Sequence, residues 1–331
     1  MKDSVLKEKI TTGVAVFILF CIGALACPLY AQSYPNRPIQ LVLPNPPGAT
    51  TDLVGRIIAP ELSARLGQPI VMENRPGAGG DIGVEQTARA SPDGHTLVLT
   101  TNILSLRPSL STNLKYDPIK DFAPISLVAE GHFVFLVMPA FPAKTLKEFV
   151  EFARANPGKL NFGSGGIGAG THLAGELLKS IAKVNIVHVP YKGAILAVTG
   201  MMGGEIDMVL IGALSALPQI RAGKVKALAV LSKERLSTLP DVPTSKESGV
   251  DNYVVTSWFA LLAPAGTQRE VVNRLNSEWT KAAAMPAIVE RMRSAGMEPL
   301  SSTPEQFSEF LKTEIGRWAK VIKDANIPKI D

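Results

Sequence analysis

The chain has 331 residues, of which 46% are hydrophobic and 19% are charged, and its formal net charge is +5. This length is enough for two domains with packed cores. The basic residues are scattered, with no run of Lys and Arg longer than two, which excludes the clustered basic surface of a nucleic-acid-binding protein. A modest positive charge instead suits an anionic small ligand.

The N-terminus is typical of a secretory signal peptide. Several lysines precede an uncharged apolar run at 13–26, which is short for a membrane span and ends in small residues. Cleavage is predicted after Ala31 or after Ala26. The second site would leave Cys27 first, as in a tethered lipoprotein, and an uncleaved membrane anchor is a third alternative. Both cysteines, Cys21 and Cys27, lie in this leader, so cleavage after Ala31 leaves no disulfide and no thiol.

After the leader, short β-branched runs alternate with amphipathic stretches, which is typical of an α/β fold with largely parallel sheets. A first series predicts strands at 39–43, 70–73 and 96–100 and helices at 52–66 and 82–90. A second series predicts strands at 160–163, 185–189, 206–211 and 225–231 and helices at 171–181, 194–202 and 215–222. Three more helices are predicted at 268–283, 286–295 and 304–325.

Two long extended runs, 125–139 and 253–264, bracket the second series and predict a chain that crosses into a second lobe and returns. The C-terminal helices are expected to pack on the first lobe. The predicted division is a signal peptide at 1–31, a discontinuous first lobe at 32–132 and 258–331, and a second lobe at 133–257. Ligands of open α/β sheets bind beyond the carboxyl ends of the strands, so a cleft between the lobes is the predicted site.

The most informative local feature is a proline–glycine turn that follows the first strand and opens a helix. Its sequence at 44–52 is PNPPGATTD. Such a turn leaves backbone N–H groups unpaired at the positive end of the helix dipole, which favours an anion. Thr50 and Thr51 are predicted to cap the helix or to bind ligand, and Asp52 to accept loop N–H bonds or cap the helix. An ordinary capped helix start is the alternative.

A second glycine-rich turn precedes the helix at 171–181. Residues 163–168, GSGGIG, fit the G-x-G-x-x-G pattern of dinucleotide sites, but the next strand carries no acid that could hold a ribose. No nicotinamide or flavin cofactor is therefore predicted. With Ser164, Ala169 and Thr171, the turn instead offers a second set of N–H groups and hydroxyls for a carboxylate.

The remaining polar residues predict neither a metal site nor a catalytic one. The four histidines are far apart and lack metal-ligand spacing. His172, in the first turn of its helix, is a candidate for orienting the glycine loop. No G-x-S-x-G elbow is present, so an enzyme is not predicted and no catalytic residue is assigned. Tyr191 could offer its ring and hydroxyl to the cleft or pack on its own lobe.

Seven ordered motifs resemble those of the solute-binding receptors of tripartite tricarboxylate transporters, the Bug-type receptors. They are YPNRPI at 34–39, PPGATTD at 46–52, ENRPGAGG at 73–80, YDPIKDF at 116–122, HLAGE at 172–176, VPYKG at 189–193 and WFALLAPAG at 258–266. The resemblance covers about residues 33–327. It implies a two-lobed, type II-like periplasmic binding protein, without cofactor or metal, that closes on a small carboxylate and delivers it to membrane permease subunits. A monomer is expected.

The resemblance also implies where the ligand binds. In such receptors the two loops grip a carboxylate through backbone N–H groups and hydroxyls, and neighbouring strand ends line the same cleft. The ligand-binding residues expected on this basis are Asn45, Pro47, Gly48, Ala49, Thr50, Thr51, Asp52, Thr101, Asn102, Ser164, Gly165, Gly166, Gly168, Ala169, Thr171, His172, Tyr191 and Gly212.

Two departures from the family pattern narrow the expected ligand. The first loop carries Asn45 and Ala49 where the family often has Phe and Gly. The strand at 206–211 runs into Gly212 and Ala213 rather than an Asp-Asn-rich loop, so an acid that could bind a ligand amine is missing. A plain or bulkier carboxylic acid is therefore expected rather than an amino acid.

Two other functions are compatible with the same scaffold. One is an orphan carboxylate sensor that signals to a partner without transport, and the other is an exported enzyme. Permease genes beside this one would favour transport, whereas the lack of a catalytic constellation argues against the enzyme.

Overall fold

The computed structural model describes residues 34–330, and the compact body begins at Arg37. The predicted signal peptide, with both candidate cleavage sites, lies outside the described residues. The strands are β1 (Ile39–Leu43), β2 (Ile70–Asn74), β3 (Thr96–Thr101), β4 (Phe122–Val137), β5 (Asn161–Ser164), β6 (Val187–Pro190), β7 (Met208–Gly212), β8 (Lys226–Val230), β9 (Thr256–Pro264) and β10 (Met297–Pro299).

The helices lie between these strands and after the last of them, and they include all eight helices predicted from the sequence. They are α1 (Thr50–Leu66), α2 (Asp81–Ala88), α3 (Ile103–Leu110), α4 (Leu146–Ala155), α5 (Gly170–Ala182), α6 (Ala194–Met202), α7 (Ala213–Arg221), α8 (Arg269–Ala283), α9 (Pro286–Ser294) and α10 (Pro304–Asp324). None of the helices within residues 34–330 is both long enough and apolar enough to cross a membrane.

Two groups of parallel strands confirm the α/β prediction. β1 pairs in parallel with β2 and β3, and β9 joins β3 antiparallel. β5 pairs in parallel with β6 and β7. Because parallel strands in one sheet end at the same edge, the turns after β1 and β3 lie together, as do those after β5, β6 and β7.

The long strand β4 connects the two groups. Its residues 122–132 pair with β9, and residues 133–137 pair with β7 on one edge and β8 on the other. The fold is therefore two-lobed. We refer to β1–β3, β9, β10 and their helices as the first lobe, and to β5–β8 and their helices as the second. The predicted extended runs correspond to β4 and β9, although β9 begins only at Thr256 because Val255 N–H donates to Leu231 O of the second lobe (3.0 Å).

The last helix, α10, packs on both lobes and not on the first alone. Its first half places Phe307 in the core that contains Trp258 of β9. Its second half places Trp318 and Ile322 in the core that contains Phe135 of the second lobe. At 1.5 Å per residue, its 21 residues extend about 30 Å, which is long enough to reach both cores.

Two helices, α3 and α4, and the short strand β10 were absent from the sequence-based expectations. α3 has Pro108 in its interior, which lowers its helical propensity. α4 has a detectable signal, because Thr145 Oγ1 accepts the Glu148 N–H (3.1 Å) as an N-cap before an amphipathic stretch. β10 has three residues and forms because they pair antiparallel with β4, with Met297 opposite Gly131.

Candidate functional site

The turn after β1 is held from within by its own side chains. Gly48 N–H donates to Asp52 Oδ2 (3.0 Å), and Thr51 Oγ1 donates to Asn45 Oδ1 (2.7 Å). The N-cap of α1 is Ala49, with no side-chain capping bond, so the expectation that Thr50 or Thr51 caps the helix is wrong. Thr51 instead bonds across the loop to Asn45. Asp52 accepts a loop N–H, which is one of the two roles predicted for it from the sequence.

Asp52 is an anchor rather than a base. It is 2% exposed, Arg56 Nε donates to its Oδ2 (2.8 Å), and Asn74 Nδ2 contacts its Oδ1 (3.3 Å). The Arg56 hydrogen bond and then the Gly48 N–H lower the pKa of Asp52 below its ordinary value. A carboxylate that is held ionised by these partners accepts hydrogen bonds and is poorly suited to taking up a proton.

The turn after β5 is closed in a similar way. Gly168 N–H donates to His172 Nδ1 (3.1 Å), and Gly165 N–H donates to Thr171 Oγ1 (2.9 Å). The first of these bonds confirms that His172 orients the glycine loop. It also means that Nδ1 carries no proton, so the neutral imidazole has its N–H at Nε2, which lies 3.8 Å from Glu176 Oε1.

The two turns share one backbone design. Gly48 and Gly168 have φ of +82° and +77°, a conformation that favours glycine. Each is followed by an extended alanine, Ala49 or Ala169, that is the N-cap and donates to the carbonyl three residues before it (3.2 Å in both). In both turns the glycine N–H is accepted by the side chain four residues later. In the sequence this design is a repeated Gly-Ala-x-Thr at 48–51 and 168–171.

Both turns present backbone N–H groups at a helix start. The first bond within α1 is donated by Leu53 to Ala49 O, and the first within α5 by Leu173 to Ala169 O (3.0 Å each). The N–H groups at 50–52 and 170–172 therefore have no acceptor within their own helices. A helix start that follows a glycine with positive φ is a geometry that binds carboxylate or phosphate, and this chain has two of them.

Behind the second turn lies a stack of rings that sequence reasoning missed. His188 of β6 stacks on His172 with 3.9 Å between ring centroids, and Phe162 stacks on His188 at 4.8 Å. Burial, followed by the neighbouring His188 and Lys179, lowers the pKa of His172 to about 3, and burial lowers that of His188 to about 4. Both imidazoles are therefore neutral at neutral pH.

Ser164 and His188 form a hydrogen-bonded pair, with Oγ and Nε2 2.6 Å apart. Such a pair is one element of nucleophilic catalysis. However, Ser164 is 0% exposed, and its Oγ also accepts the Gly166 N–H (3.1 Å). The hydroxyl therefore fastens the loop from behind and has no exposed path to a substrate in this conformation.

The other predicted residues lie at the ends of strands around these turns. Thr101 is half-buried at the end of β3, where its Oγ1 accepts the Ile103 N–H (3.3 Å). Asn102 is buried and donates its N–H to Trp258 O (3.2 Å). Tyr191 packs on its own lobe, and its hydroxyl donates to Glu205 Oε2 (2.8 Å). Of the two alternatives predicted for it, the hydroxyl therefore follows packing on its own lobe.

The two lobes approach each other at Asn102. A Cβ at Gly170 would lie 3.5 Å from Asn102 Nδ2 and 3.2 Å from Cζ of Phe133. Phe133, which sequence reasoning missed, follows the last β4 residue that pairs with β9 and is opposite Gly212 of β7. The end of β3 and the start of α5 are therefore neighbours, and the absence of a side chain at Gly170 permits this.

Comparison with known proteins identifies the family. Residues 54–327 match the model of the tripartite tricarboxylate transporter family receptor. Protein BugT of Bordetella pertussis is 36% identical over 311 residues, which are 93% of this chain and 95% of that protein.

Two solved structures are also similar. The R. palustris protein Rpa4515 with adipate is 32% identical, with a TM-score of 0.75, covering 90% of this chain and 100% of that one. MatC from Rhodopseudomonas palustris with bound malate is 33% identical, with a TM-score of 0.70, covering 87% and 100%. The chain therefore belongs to the tripartite tricarboxylate transporter receptors, a family of solute-binding proteins.

Proposed function

We propose that this protein is a periplasmic receptor that captures a small carboxylate between its two lobes. The observation that carries the proposal is the paired helix starts of α1 and α5, each with N–H groups that have no acceptor in the helix. One loop belongs to each lobe, so a ligand with a carboxylate at each end could bind both. The proposed contacts are the residues of the two loops other than the buried Ser164, together with Thr101, Asn102, Tyr191 and Gly212.

The relatives support this class of ligand. Rpa4515 was solved with adipate and MatC with malate, and both are dicarboxylates. In this chain Gly212 ends β7, and no atom of the described residues lies within 4 Å of where its Cβ would be. At Gly212 the proposed site therefore has space for a ligand and lacks a carboxylate that could bind a ligand amine. This favours a plain or bulky carboxylic acid over an amino acid.

We further propose that the bound carboxylate is delivered to a tripartite tricarboxylate-type permease and that closure occurs about the two crossings, at 132/133 in β4 and at 255/256 before β9. Family membership supports the transport role. An orphan sensor remains the alternative, and permease genes beside this gene would favour transport over it. The buried Ser164 hydroxyl argues against an exported enzyme.

A thermal-shift panel of dicarboxylates and aromatic acids, followed by calorimetry, tests the proposal. A bound ligand raises the melting temperature by mass action. The best acid should bind, and its amide should not, because loop N–H groups and helix dipoles stabilise negative charge. Equal affinity for acid and amide would contradict the anion site.

A pair of threonine variants locates the site. Thr101→Ala should lower the affinity for the tightest-binding acid by about ten- to a hundredfold, since hydrogen bonds to charged groups contribute roughly 1.5–3 kcal/mol. Thr313→Ala is the matched control, because Thr313 lies exposed on α10 and its hydroxyl donates to Glu309 O of the same helix (3.0 Å). Equal affinities of the two variants would place the ligand elsewhere.

A further inference from the structure

Phe133 places an aromatic ring beside the proposed carboxylate site. It is the first β4 residue that pairs with β7 of the second lobe, and its side chain is only half-buried. A Cβ at Gly170 would lie 3.2 Å from Cζ and 3.7 Å from Cε2 of this ring. Gly170 is the first residue of α5, and its N–H is one of the groups that have no acceptor within the helix. The ring therefore lies next to the N–H groups that are proposed to hold a carboxylate.

The space beside this ring is open. Phe133 and Gly212 are directly opposite each other in the antiparallel pair of β4 and β7, so side chains at these positions project from the same face of the sheet. At Gly212 no atom of the described residues lies within 4 Å of the Cβ position. By contrast, Phe135, the next β4 residue on that face, is fully buried, and its ring centroid is 4.8 Å from that of Phe149. The face therefore changes at Phe133 from packed core to open site.

Apolar side chains also lie exposed where the parallel strands end. Ile167 is in the turn after β5, and Ile195 and Leu196 are in the first turn of α6, after β6. On the first lobe, Leu53 and Ile82 are in the first turns of α1 and α2. All five are 44–51% exposed. Because helical side chains tilt toward the N-terminus of their helix, those in a first turn project toward the strand ends, where the proposed site lies.

On the second lobe these side chains belong to adjacent turns. A Cβ at Gly165 would lie 3.3 Å from the N atom of Ala194, so the start of α6 packs on the turn after β5. The segments that carry Ile167 and Ile195 are therefore neighbours. Lys192, in the turn before α6, is also exposed and suits an anion. Single exposed apolar side chains are ordinary on a protein surface, but a group of them beside a ligand site suits a ligand with apolar surface.

We infer that the site selects carboxylic acids with an apolar body, a methylene chain or an aryl ring, and that Phe133 and the exposed apolar side chains at the strand ends determine this selection. The inference rests on the proposed function. With the carboxylate at the N–H groups of α5, the body of the ligand lies against the Phe133 ring and in the open space at Gly212. A hydroxyl group buried there would lose its hydrogen bonds to water, and the ring offers it no equivalent partner.

Calorimetry with two matched pairs of dicarboxylates tests the inference. Succinate and tartrate share one chain length, adipate and galactarate share another, and the second acid of each pair carries hydroxyl groups. In the pair that binds more tightly, we expect the plain acid to bind about tenfold or more tightly than its hydroxylated partner, because a buried hydroxyl is left without a partner. Equal affinities within that pair, tighter binding of the hydroxylated acid, or no binding of either plain acid would overturn the inference.

The diamide of the same plain acid, adipamide or succinamide, separates this result from failure of the proposed function. A plain acid that binds no more tightly than its diamide would contradict the anion site itself. A plain acid that binds more tightly than its diamide, but no more tightly than its hydroxylated partner, would contradict only the selection of an apolar body.

Variants of Phe133 test its role. Phe133→Asn should lower the affinity for the plain acid by about tenfold or more and abolish its preference over the hydroxylated acid, whereas Phe133→Leu should retain the preference. Phe141→Asn is the matched control. Phe141 is also half-buried, but it lies beyond the other end of this β4 segment and packs on Phe149, with 5.4 Å between ring centroids. An unchanged preference in Phe133→Asn would show that the ring does not select the ligand.

A change on the exposed surface avoids any effect on folding. Ile195→Ser alters a side chain that is 50% exposed and should lower the affinity for the plain acid by about threefold through loss of apolar contact. Ile119→Ser is the control, because Ile119 is also exposed but precedes β4, at the end remote from the crossing at 132/133. Equal affinities of the two variants for the plain acid would contradict an apolar site formed by these side chains.

Discussion

At the scale of single residues, the turns after β1 and β5 differ chiefly in the side chain that accepts the glycine N–H. Asp52 holds the Gly48 N–H with an ionised carboxylate, whereas His172 holds the Gly168 N–H with a neutral imidazole (3.0 and 3.1 Å). The negative charge of Asp52 is balanced by Arg56, which forms an ion pair with it. The second turn has a neutral imidazole in this position, which would not repel a bound anion.

This difference leads to a prediction on pH. The pKa values of His172 and His188 are lowered to about 3 and about 4, against about 6.5 in an unfolded chain. Between these values the unfolded state binds more protons, so the free energy of unfolding should fall as the pH decreases from about 6.5 toward 4. Urea unfolding at about pH 7.5 and about pH 5 measures the decrease.

The double variant His172→Asn/His188→Gln is the control, because it keeps hydrogen-bonding side chains that do not titrate in this range. Its decrease in stability between the two pH values should be smaller than that of the parent chain. Equal decreases would show that other groups are responsible.

Gly212 is expected to decide which acids bind. Gly212→Asp adds a carboxylate at a position where no atom of the described residues lies within 4 Å of the new Cβ. Its φ is −56°, so the backbone needs no adjustment. Like-charge repulsion should lower the affinity for dicarboxylates by about tenfold or more, and a ligand that carries an amine should then be able to bind. Calorimetry with adipate and aspartate tests this, with Gly212→Asn as the uncharged control. Adipate binding unaffected by the aspartate would mean that Gly212 is outside the site.

At the scale of elements, close packing of α5 against β5 determines the position of the second turn. A Cβ at Gly175 of α5 would lie 2.1 Å from Cε2 of Phe162, which is fully buried and stacks on His188. The missing side chain therefore allows the helix, the aromatic ring and the histidines to form one layer behind the loop.

Gly175→Ala should accordingly lower the free energy of unfolding by about 1–3 kcal/mol, since overpacking displaces Phe162. Gly316→Ala is the control within α10, because nothing in the described residues lies within 4 Å of the added Cβ, and it should raise stability by up to about 1 kcal/mol. Chemical denaturation measures both. A neutral Gly175→Ala would show that the layer can be repacked.

At the scale of the whole molecule, the lobes are joined by more than the two strands that the sequence suggested. β4 crosses once, the segment before β9 returns, and α10 packs on both cores. The helix is a third connection, so the proposed closure would have to bend or slide α10 as well as rotate the strands.

Closure on a ligand should still be measurable. Small-angle scattering of the protein should show a smaller radius of gyration when the acid that binds most tightly is at saturation. An unchanged radius would indicate that α10 holds the lobes in one arrangement and that the cleft is preformed.

The sequence by itself determined the α/β class, the elements of both series, the two turns and the family, because hydrophobic periodicity and proline–glycine turns are local properties. It also identified His172 as the residue that orients its loop. Only the tertiary structure decided the partners of Ser164 and Tyr191, whose hydroxyls are bonded to His188 and Glu205, since those contacts join residues 24 and 14 positions apart. The same holds for α10, whose packing on the cores of both lobes joins residues far apart in the sequence.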